Sequence, residues 1–337
     1  MARTGEKIYE WDKRPRMPVP PPPRGSCDCQ FHIYESPGKF PPRPNPPYPP
    51  IESATFTEAQ RMHQAVGFDR GVIVHSAIYG SDHRLLLHAL ESLDDRDRYR
   101  GIGIVDDSVS DQDLERLNAA GVRGARFNFV RFLALEQREA EIRRSMARLR
   151  ELGWHARLHV NGDDLLNNSD LLRSLNDVPM VIDHFGHVGF EGGMERPVIR
   201  WVLDILKQEN WWMMISNGNR DSRMEAGWDD AVPYGKRFIE AAPDRIMWGT
   251  DAPHPKGSAP YTTAALRTTL YDVPVEDCRS MLGGNAAKLY GFDLDALAPI
   301  AAKIGPRVEE VATQLADPPT HTGVVFAAED PLEAMLS

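Results

Sequence analysis

Short apolar runs alternate with longer amphipathic stretches along most of the chain. The apolar runs are rich in Val, Ile and Met and have the length of buried strands, whereas the stretches between them repeat apolar residues at helical spacing. Eight such runs predict strands, namely CDCQFHI (27–33), GVIVHS (71–76), GIGIV (101–105), GVRGARFNF (121–129), ARLHV (156–160), PMVIDHF (179–185), WWMMIS (211–216) and RIMWGTD (245–251). Eight strands alternating with helices predict an α/β protein built as a (β/α)8 TIM barrel.

The predicted helices include TFTEAQRMHQAVG (55–67), EQREAEIRRSMARLRELG (136–153) and MERPVIRWVLDILKQ (194–208). An open doubly wound sheet is the alternative fold for this alternation. That fold usually carries a glycine-rich phosphate-binding turn after an early strand. Neither G-x-G-x-x-G nor a Walker-type sequence occurs in the chain, so the barrel is the predicted fold.

The barrel is predicted to span residues 25–293, with a segment of different character on either side. Residues 1–24 end in PVPPPPR and predict a proline-rich N-terminal arm. A second proline cluster (37–50) follows the first strand and predicts a stiff loop over one mouth of the barrel. Residues 294–337 predict a C-terminal helical extension and tail. The arm favours a homodimer, because it could lie on a neighbouring subunit.

Composition and charge indicate which partners and which cellular compartment to expect. The net charge of −10 over 337 residues disfavours a nucleic-acid partner. No apolar run reaches the roughly 18 residues that a membrane span needs, so no membrane partner is expected. The three cysteines do not form a disulfide framework, and the N-terminus has no apolar signal segment. These features predict a cytoplasmic enzyme.

Polar residues gather at the predicted C-terminal ends of the strands, where barrel enzymes carry their chemistry. In the first strand, alternation places Asp28, Gln30 and His32 on one face, a costly arrangement unless these groups are paired or functional. A single histidine at a strand end is more often structural than catalytic. However, His32, His184 and Asp251 lie at three separate strand ends, and this convergence indicates an active site.

Several motifs resemble those of the amidohydrolase superfamily, namely DCQFH, GVRGARFNF, VIDHFGH, WGTDAPHP and LGGNAAKLYGF (282–292). Within it they are similar to the branch that contains 2-pyrone-4,6-dicarboxylate lactonase and sugar-lactone hydrolases, over about residues 25–293. The resemblance implies that Asp251 activates water, with His32 and His184 as further catalytic residues. It also implies that Arg126 and Arg220 bind substrate carboxylates and that Tyr48 lines the pocket. Position at strand ends adds further substrate-binding candidates, which are Gln30, Ser76, Arg131 and His159.

Gln30 departs from the family pattern, which commonly has the first histidine of H-x-H at this position. A glutamine amide is a poor zinc ligand beside imidazole or carboxylate. The strand-four lysine that bridges two metals elsewhere in the superfamily also has no counterpart. The sequence therefore predicts an enzyme without a metal cofactor. One zinc held by His32, His159 and Asp251 is the alternative, because three protein ligands suffice for a catalytic zinc.

The arginines predict the class of substrate. Guanidinium groups bind carboxylates through two parallel hydrogen bonds, so several arginines at one mouth of an acidic protein indicate a small anionic substrate. The predicted function is hydrolysis of a small carboxylated lactone by water that Asp251 activates. A mononuclear zinc hydrolase or decarboxylase of the same superfamily, and a lactone isomerase, are the alternatives.

Overall fold

A computed structural model describes residue 22 and residues 25–48, 54–130, 139–224, 228–253 and 273–295. Apart from residues 22, 294 and 295, the predicted N-terminal arm and C-terminal extension lie outside the described residues. The homodimer inferred from the arm therefore stays a prediction. None of the helices within the described ranges has the length and hydropathy needed to cross a membrane.

Eight parallel strands form one sheet in the order of the chain. Each predicted apolar run overlaps one of them, so the predicted barrel is confirmed. The strands are β1 (Cys27–Phe31), β2 (Arg70–Val74), β3 (Tyr99–Gly103), β4 (Val122–Asn128), β5 (His155–His159), β6 (Met180–Ile182), β7 (Trp211–Ile215) and β8 (Ile246–Trp248).

Most of the described helices lie between strands, and the three helices predicted from the pattern are confirmed as α1, α4 and α7. Helix α1 begins after Thr55, whose hydroxyl accepts a hydrogen bond from the Glu58 N–H at 3.3 Å. The described helices are α1 (Phe56–Val66), α2 (Arg84–Glu91), α3 (Asp111–Ala120), α4 (Glu139–Glu151), α5 (Gly162–Asn167), α6 (Ser169–Ser174), α7 (Pro197–Ile205), α8 (Gly218–Asp221), α9 (Val232–Ala241), α10 (Val275–Arg279) and α11 (Asn285–Tyr290).

The barrel closes where the segment after β8 meets β1. Phe31 and Ala252 form a parallel bridge, and the Asp251 N–H donates to the Gln30 carbonyl at 2.7 Å. Gly249 permits this approach, since a Cβ atom there would lie only 2.6 Å from the Gln30 backbone nitrogen. The closure therefore fixes Asp251 directly beside Gln30.

Strand β1 contains a β-bulge that changes which side chains face the barrel interior. Asp28 pairs with Gly71 and Phe31 with Ile73, so three steps along β1 match two along β2. Asp28 consequently points outward, where its carboxylate lies 3.0 Å from His63 Nε2 on α1. The prediction that Asp28, Gln30 and His32 share one face is wrong, because the bulge interrupts the alternation.

The buried core has two parts, one on each side of the sheet. The outer part packs the strands against the surrounding helices and includes Phe31, Phe127 and Trp248. The inner part fills the barrel with side chains that include Cys27, Cys29, Val72, Val181, Met214 and Met247. All three cysteines are buried as free thiols, which confirms that they form no disulfide framework. The filled interior leaves the C-terminal mouth as the place for a site.

Stability should fall as the pH drops below 6.5, because His83 is buried in its neutral form. Its Nε2 accepts the Ile104 N–H at 3.1 Å, and burial lowers its pKa to about 4. The unfolded chain takes up a proton below about pH 6.5, whereas the native protein does not. The stability that His83 contributes is therefore present above that pH and is lost toward pH 4, by up to about 3 kcal/mol.

Urea unfolding at about pH 7.5 and about pH 5 measures this effect. His83→Gln keeps an acceptor for the Ile104 N–H but cannot take up a proton, so its loss of stability between the two pH values should be smaller than that of the wild type. His88→Gln, at an exposed position on α2, is the matched control and should behave as the wild type. An equal loss in His83→Gln and the wild type would contradict the assignment.

Candidate active site

The carboxylate of Asp251 lies at the centre of a buried polar cluster at the C-terminal mouth of the barrel. Asp251 is 3% exposed and follows β8 in the left-handed conformation, with φ of 53°. Its Oδ1 accepts a hydrogen bond from Gln30 Nε2 at 3.0 Å and lies 3.2 Å from His32 Nε2. Its Oδ2 accepts from the Asn217 amide. Side chains from the first-strand and seventh-strand regions of the barrel thus converge on one carboxylate.

The hydrogen bonds of His32 determine where its protons lie. Its Nδ1 is 2.7 Å from the Val74 carbonyl oxygen, which can only accept, so Nδ1 carries a proton. Its Nε2 faces Asp251 Oδ1, which is also an acceptor when the carboxylate is ionised. One further proton must lie between Nε2 and Oδ1 for this contact to be attractive. A proton on either atom would join His32 Nε2 and Asp251 Oδ1 in a hydrogen bond.

His184 is held as a neutral imidazole. Its Nε2 lies 3.0 Å from Arg126 Nη2 and 3.5 Å from Gln30 Nε2, and both of these groups are donors. Nε2 must therefore accept, and Nδ1 donates to Ser216 Oγ at 2.8 Å. Burial lowers the pKa of His184 well below its usual range, an effect that Asp251 partly opposes. His184 consequently acts as an acceptor beside Asp251, at 3.8 Å from Oδ1.

A strained turn follows β6 and carries two of the histidines. His184, Phe185, Gly186 and His187 all have positive φ, between 43° and 64°. Left-handed backbone at a residue other than glycine costs of order 1–3 kcal/mol and is concentrated at functional sites. The turn brings the rings of His184 and His187 to 5.2 Å between centroids. The strained backbone therefore places the imidazoles of His184 and His187 side by side.

Two arginines share one carboxylate beneath the cluster. Arg126 Nε donates to Asp183 Oδ2 at 2.9 Å, and Arg157 Nε donates to Asp183 Oδ1 at 2.9 Å. Burial favours neutral Asp183, but Arg157 and then Arg126 outweigh it and lower the pKa of Asp183 below its usual range. The sequence reasoning did not single out Arg157. The signal was present in ARLHV, where strand alternation places Arg157 on the same face as His159.

Three hydroxyl groups form a second polar cluster at the mouth. The Tyr48 hydroxyl lies 3.0 Å from Ser76 Oγ and 3.2 Å from the Tyr34 hydroxyl. Burial raises the pKa of Tyr48, which also senses the charges of Arg126 and Asp251. The phenol therefore stays protonated and can donate to a bound molecule. The structure brings Tyr48 and Ser76 together as substrate-binding candidates, and it adds Tyr34, which sequence reasoning missed.

The remaining predicted substrate-binding residues differ in their surroundings. His159 is 9% exposed, and its Nδ1 donates to Asn128 Oδ1 at 3.1 Å. Arg220 is exposed on α8, and its backbone N–H donates to the Asn217 carbonyl at 2.9 Å. Arg223, which follows it, pairs with Glu191 at the surface. Arg131 lies outside the described residues.

The side chains that could hold a metal already make hydrogen bonds with their neighbours. Across the described ranges, one group of three metal-ligating side chains has its ligand atoms within 4.8 Å of one another, and it consists of His159, His184 and His187. The predicted zinc ligands His32 and Asp251 do not belong to it. Both nitrogens of His184 already face polar partners, Ser216 and Arg126. A metal ion at this group would have to displace one of them.

The first-strand position does not fit a metal ion either. His32 has the geometry of a ligand, since its Nδ1 is anchored on a carbonyl and its Nε2 faces the site. However, Gln30 Oε1, the ligand atom of the amide, accepts a hydrogen bond from Arg157. His184 Nε2 likewise accepts from Arg126. Two of the atoms that would face a metal are therefore already bound to cations.

Comparisons with known proteins identify the family of this chain. The family model described as amidohydrolase matches residues 27–292. The chain is 31% identical over 255 residues to the 2-pyrone-4,6-dicarboxylate hydrolase of Comamonas testosteroni, which covers 73% of this chain and 82% of that protein. It is 31% identical over 233 residues to the 4-sulfomuconolactone hydrolase of Hydrogenophaga intermedia, with coverages of 69% and 76%.

A solved structure shows the same fold. The apo crystal structure of an Agrobacterium tumefaciens protein matches with a TM-score of 0.73 and 24% sequence identity, over 82% of this chain and 99% of that one. The family model covers the whole barrel, from β1 to the end of α11. The chain belongs to the amidohydrolase family.

Proposed function

We propose that this protein is a hydrolase that opens a small carboxylated lactone with water activated by Asp251. The observation that carries the proposal is the buried Asp251 carboxylate, whose Oδ1 lies 3.2 Å from His32 Nε2 and 3.8 Å from His184 Nε2, the partner of Arg126. Two relatives with 31% identity are named as hydrolases of 2-pyrone-4,6-dicarboxylate and of 4-sulfomuconolactone. Both named substrates are small anionic rings, which agrees with arginine at the site.

The reaction follows from the proton positions. With the hydrogen-bonded proton on His32, Asp251 accepts a proton from water as the water oxygen attacks the lactone carbonyl carbon. The carbonyl becomes a tetrahedral oxyanion, and the bond between the carbonyl carbon and the ring oxygen then breaks. The ring oxygen takes a proton from the His32–Asp251 pair as it leaves. The products are a carboxylic acid, which releases its proton to solvent, and an alcohol or enol, so one water molecule has been added.

The developing oxyanion needs donors, and two are close to Asp251. Gln30 Nε2 and the protonated Nε2 of His32 both point at the carboxylate in the absence of a substrate. Each such donor is worth roughly 2.7–4 kcal/mol when it is fixed in a site that excludes water. His184 is not counted among them, because its Nε2 accepts. Its part in the proposal is to hold Arg126 next to Asp251.

The substrate carboxylate is assigned to Arg126, supported by the hydroxyls of Tyr48 and Ser76. Arg126 is buried and carries its charge at the mouth, where Tyr48 senses it. Arg131 and Arg220 remain proposed contacts for a second anionic group, and His159 remains a proposed substrate-binding residue. The proposal includes catalysis without a metal ion. Its support is that the ligand atoms of Gln30 and His184 already accept hydrogen bonds from Arg157 and Arg126.

The mass of the product tests the proposed reaction. Incubated with 2-pyrone-4,6-dicarboxylate or 4-sulfomuconolactone, the protein should convert at least one of them to a product that is heavier by one water molecule. A product of unchanged mass would identify a lactone isomerase, and loss of carbon dioxide would identify a decarboxylase. Either result would replace the proposed function with that alternative.

A further inference from the structure

We propose that Arg157 is a positioning residue that closes the first-strand position to metal ions and turns Gln30 into a hydrogen-bond donor for Asp251. The inference extends the proposed function. Only its kinetic test rests on that function, because the metal-binding test needs no substrate. Arg157 is fully buried on β5, at the point where the barrel interior meets the site.

Five side chains form a ring around this position, joined by hydrogen bonds and one longer polar contact. Arg157 donates to Gln30 Oε1 and to Asp183 Oδ1, and the second distance is 2.6 Å. Asp183 Oδ2 accepts from Arg126, which donates in turn to His184 Nε2 at 3.0 Å. His184 Nε2 lies 3.5 Å from Gln30 Nε2, a longer polar contact that completes the ring. Arg157 also donates to the Cys29 carbonyl at 2.9 Å, so its guanidinium is anchored on the strand that carries Gln30.

The ring fixes the orientation of the Gln30 amide. An amide oxygen can only accept and an amide nitrogen can only donate. Because Arg157 donates to Oε1, the opposite side of the amide must present Nε2, and this atom lies 3.0 Å from Asp251 Oδ1. Without Arg157 the amide could rotate and place its oxygen against the carboxylate. Arg157 therefore holds Gln30 in the orientation that donates to Asp251, and it adds to the preference of the carboxylate itself for Nε2.

The charge of the ring also opposes a metal ion. Two guanidinium groups and one carboxylate give the ring a net charge of about +1, held in a buried environment where charges interact strongly. The Asp183 carboxylate raises the pKa of Arg157 although burial acts against it. A divalent cation beside Gln30 would meet this charge and would find Oε1 already in use. A histidine at position 30 would meet the same guanidinium, so restoring H-x-H alone should not restore a metal site.

Zinc content, measured by elemental analysis after incubation with excess zinc and desalting, tests the inference. All proteins carry His187→Gln, which removes one member of the His159–His184–His187 group. Neither the parent nor its Gln30→His variant should retain stoichiometric zinc. The double variant Gln30→His/Arg157→Met should retain about one zinc per chain, because three protein ligands suffice for a catalytic zinc. Arg150→Met, at an exposed arginine that pairs with Asp177, is the control and should match the parent.

Two results would overturn the inference. One is stoichiometric zinc in the parent or in Gln30→His that is lost on adding His32→Ala, since Arg157 would then fail to exclude the metal. The other is a folded double variant that retains no zinc. Zinc content is measured without substrate, so it is independent of whether the lactone assay succeeds.

Arg157→Lys tests the positioning role if the methionine variants do not fold. Lysine keeps the charge but cannot donate to Gln30, Asp183 and the Cys29 carbonyl together. It should lower kcat by roughly tenfold while KM stays within about twofold, because the amide no longer reliably faces Asp251. Unchanged kcat in a folded Arg157→Lys protein would refute the positioning role.

Discussion

Asp251→Asn is expected to lower kcat for lactone opening by roughly 10²–10⁴-fold, the range over which a positioned general base acts. The amide keeps the size of the side chain but cannot take a proton from water. It would also place a donor or a less basic oxygen opposite His32 Nε2, which removes the hydrogen-bonded proton of this pair. KM should change little, because the carboxylate contacts the attacking water rather than the anionic group of the substrate.

Steady-state kinetics show whether kcat has fallen, and thermal unfolding shows whether the variant is still folded. Asp177→Asn, at a carboxylate with 62% side-chain exposure, is the matched control and should retain wild-type kcat. An Asp251→Asn protein that folds and turns over at the wild-type rate would eliminate Asp251 as the base. The proposed mechanism would then have no base, since His184 Nε2 is occupied by Arg126.

Arg126→Met is expected to lower kcat/KM for a carboxylated lactone by roughly 10²–10³-fold, because removing one partner of a buried charge pair costs about 2–5 kcal/mol. For the methyl ester of the same lactone, the wild-type value should already be low and the substitution should lower it much less. The difference between the two substrates isolates recognition of the carboxylate. Arg126→Met also removes one of the two arginines that bind Asp183. This loss lowers kcat/KM for the acid and the ester equally, so it cancels when the two substrates are compared.

Arg123→Met is the control on the same strand. Arg123 donates to the Asn118 carbonyl at 2.9 Å, away from the site, so its removal should affect the acid and the ester equally. An equal loss for both substrates in Arg126→Met would show that Arg126 supports the structure of the site and does not bind the carboxylate.

The fold could be predicted from the sequence because its determinants are local and repeated. Each strand is a short apolar run, and a run such as WWMMIS predicts a buried strand from its own residues alone. The bulge in β1 could not be predicted in this way. It arises from long-range contacts, in which Asp28 binds His63 and the Thr250 N–H while the neighbouring segment bridges to Ala252.

The candidate site could be predicted in part. His32, His184 and Asp251 lie at strand ends, and strand ends of a barrel converge, so their proximity followed from the fold. The roles of Arg157 and His187 did not follow. Arg157 was hidden in an apolar strand, and His187 reaches the site because four consecutive residues adopt the left-handed conformation. Such backbone depends on tertiary packing rather than on the residue types themselves.

The most direct test of whether Asp251 activates water unaided is ring opening of a carboxylated lactone by the wild-type protein. The rate is measured before and after treatment with a chelator, and the metal content of the same sample is determined. We expect a product heavier by one water molecule, formed at the same rate after chelation in a protein without stoichiometric transition metal. Turnover that is lost on chelation and restored by about one zinc per chain would contradict this mechanism, because a bound metal would then activate the water.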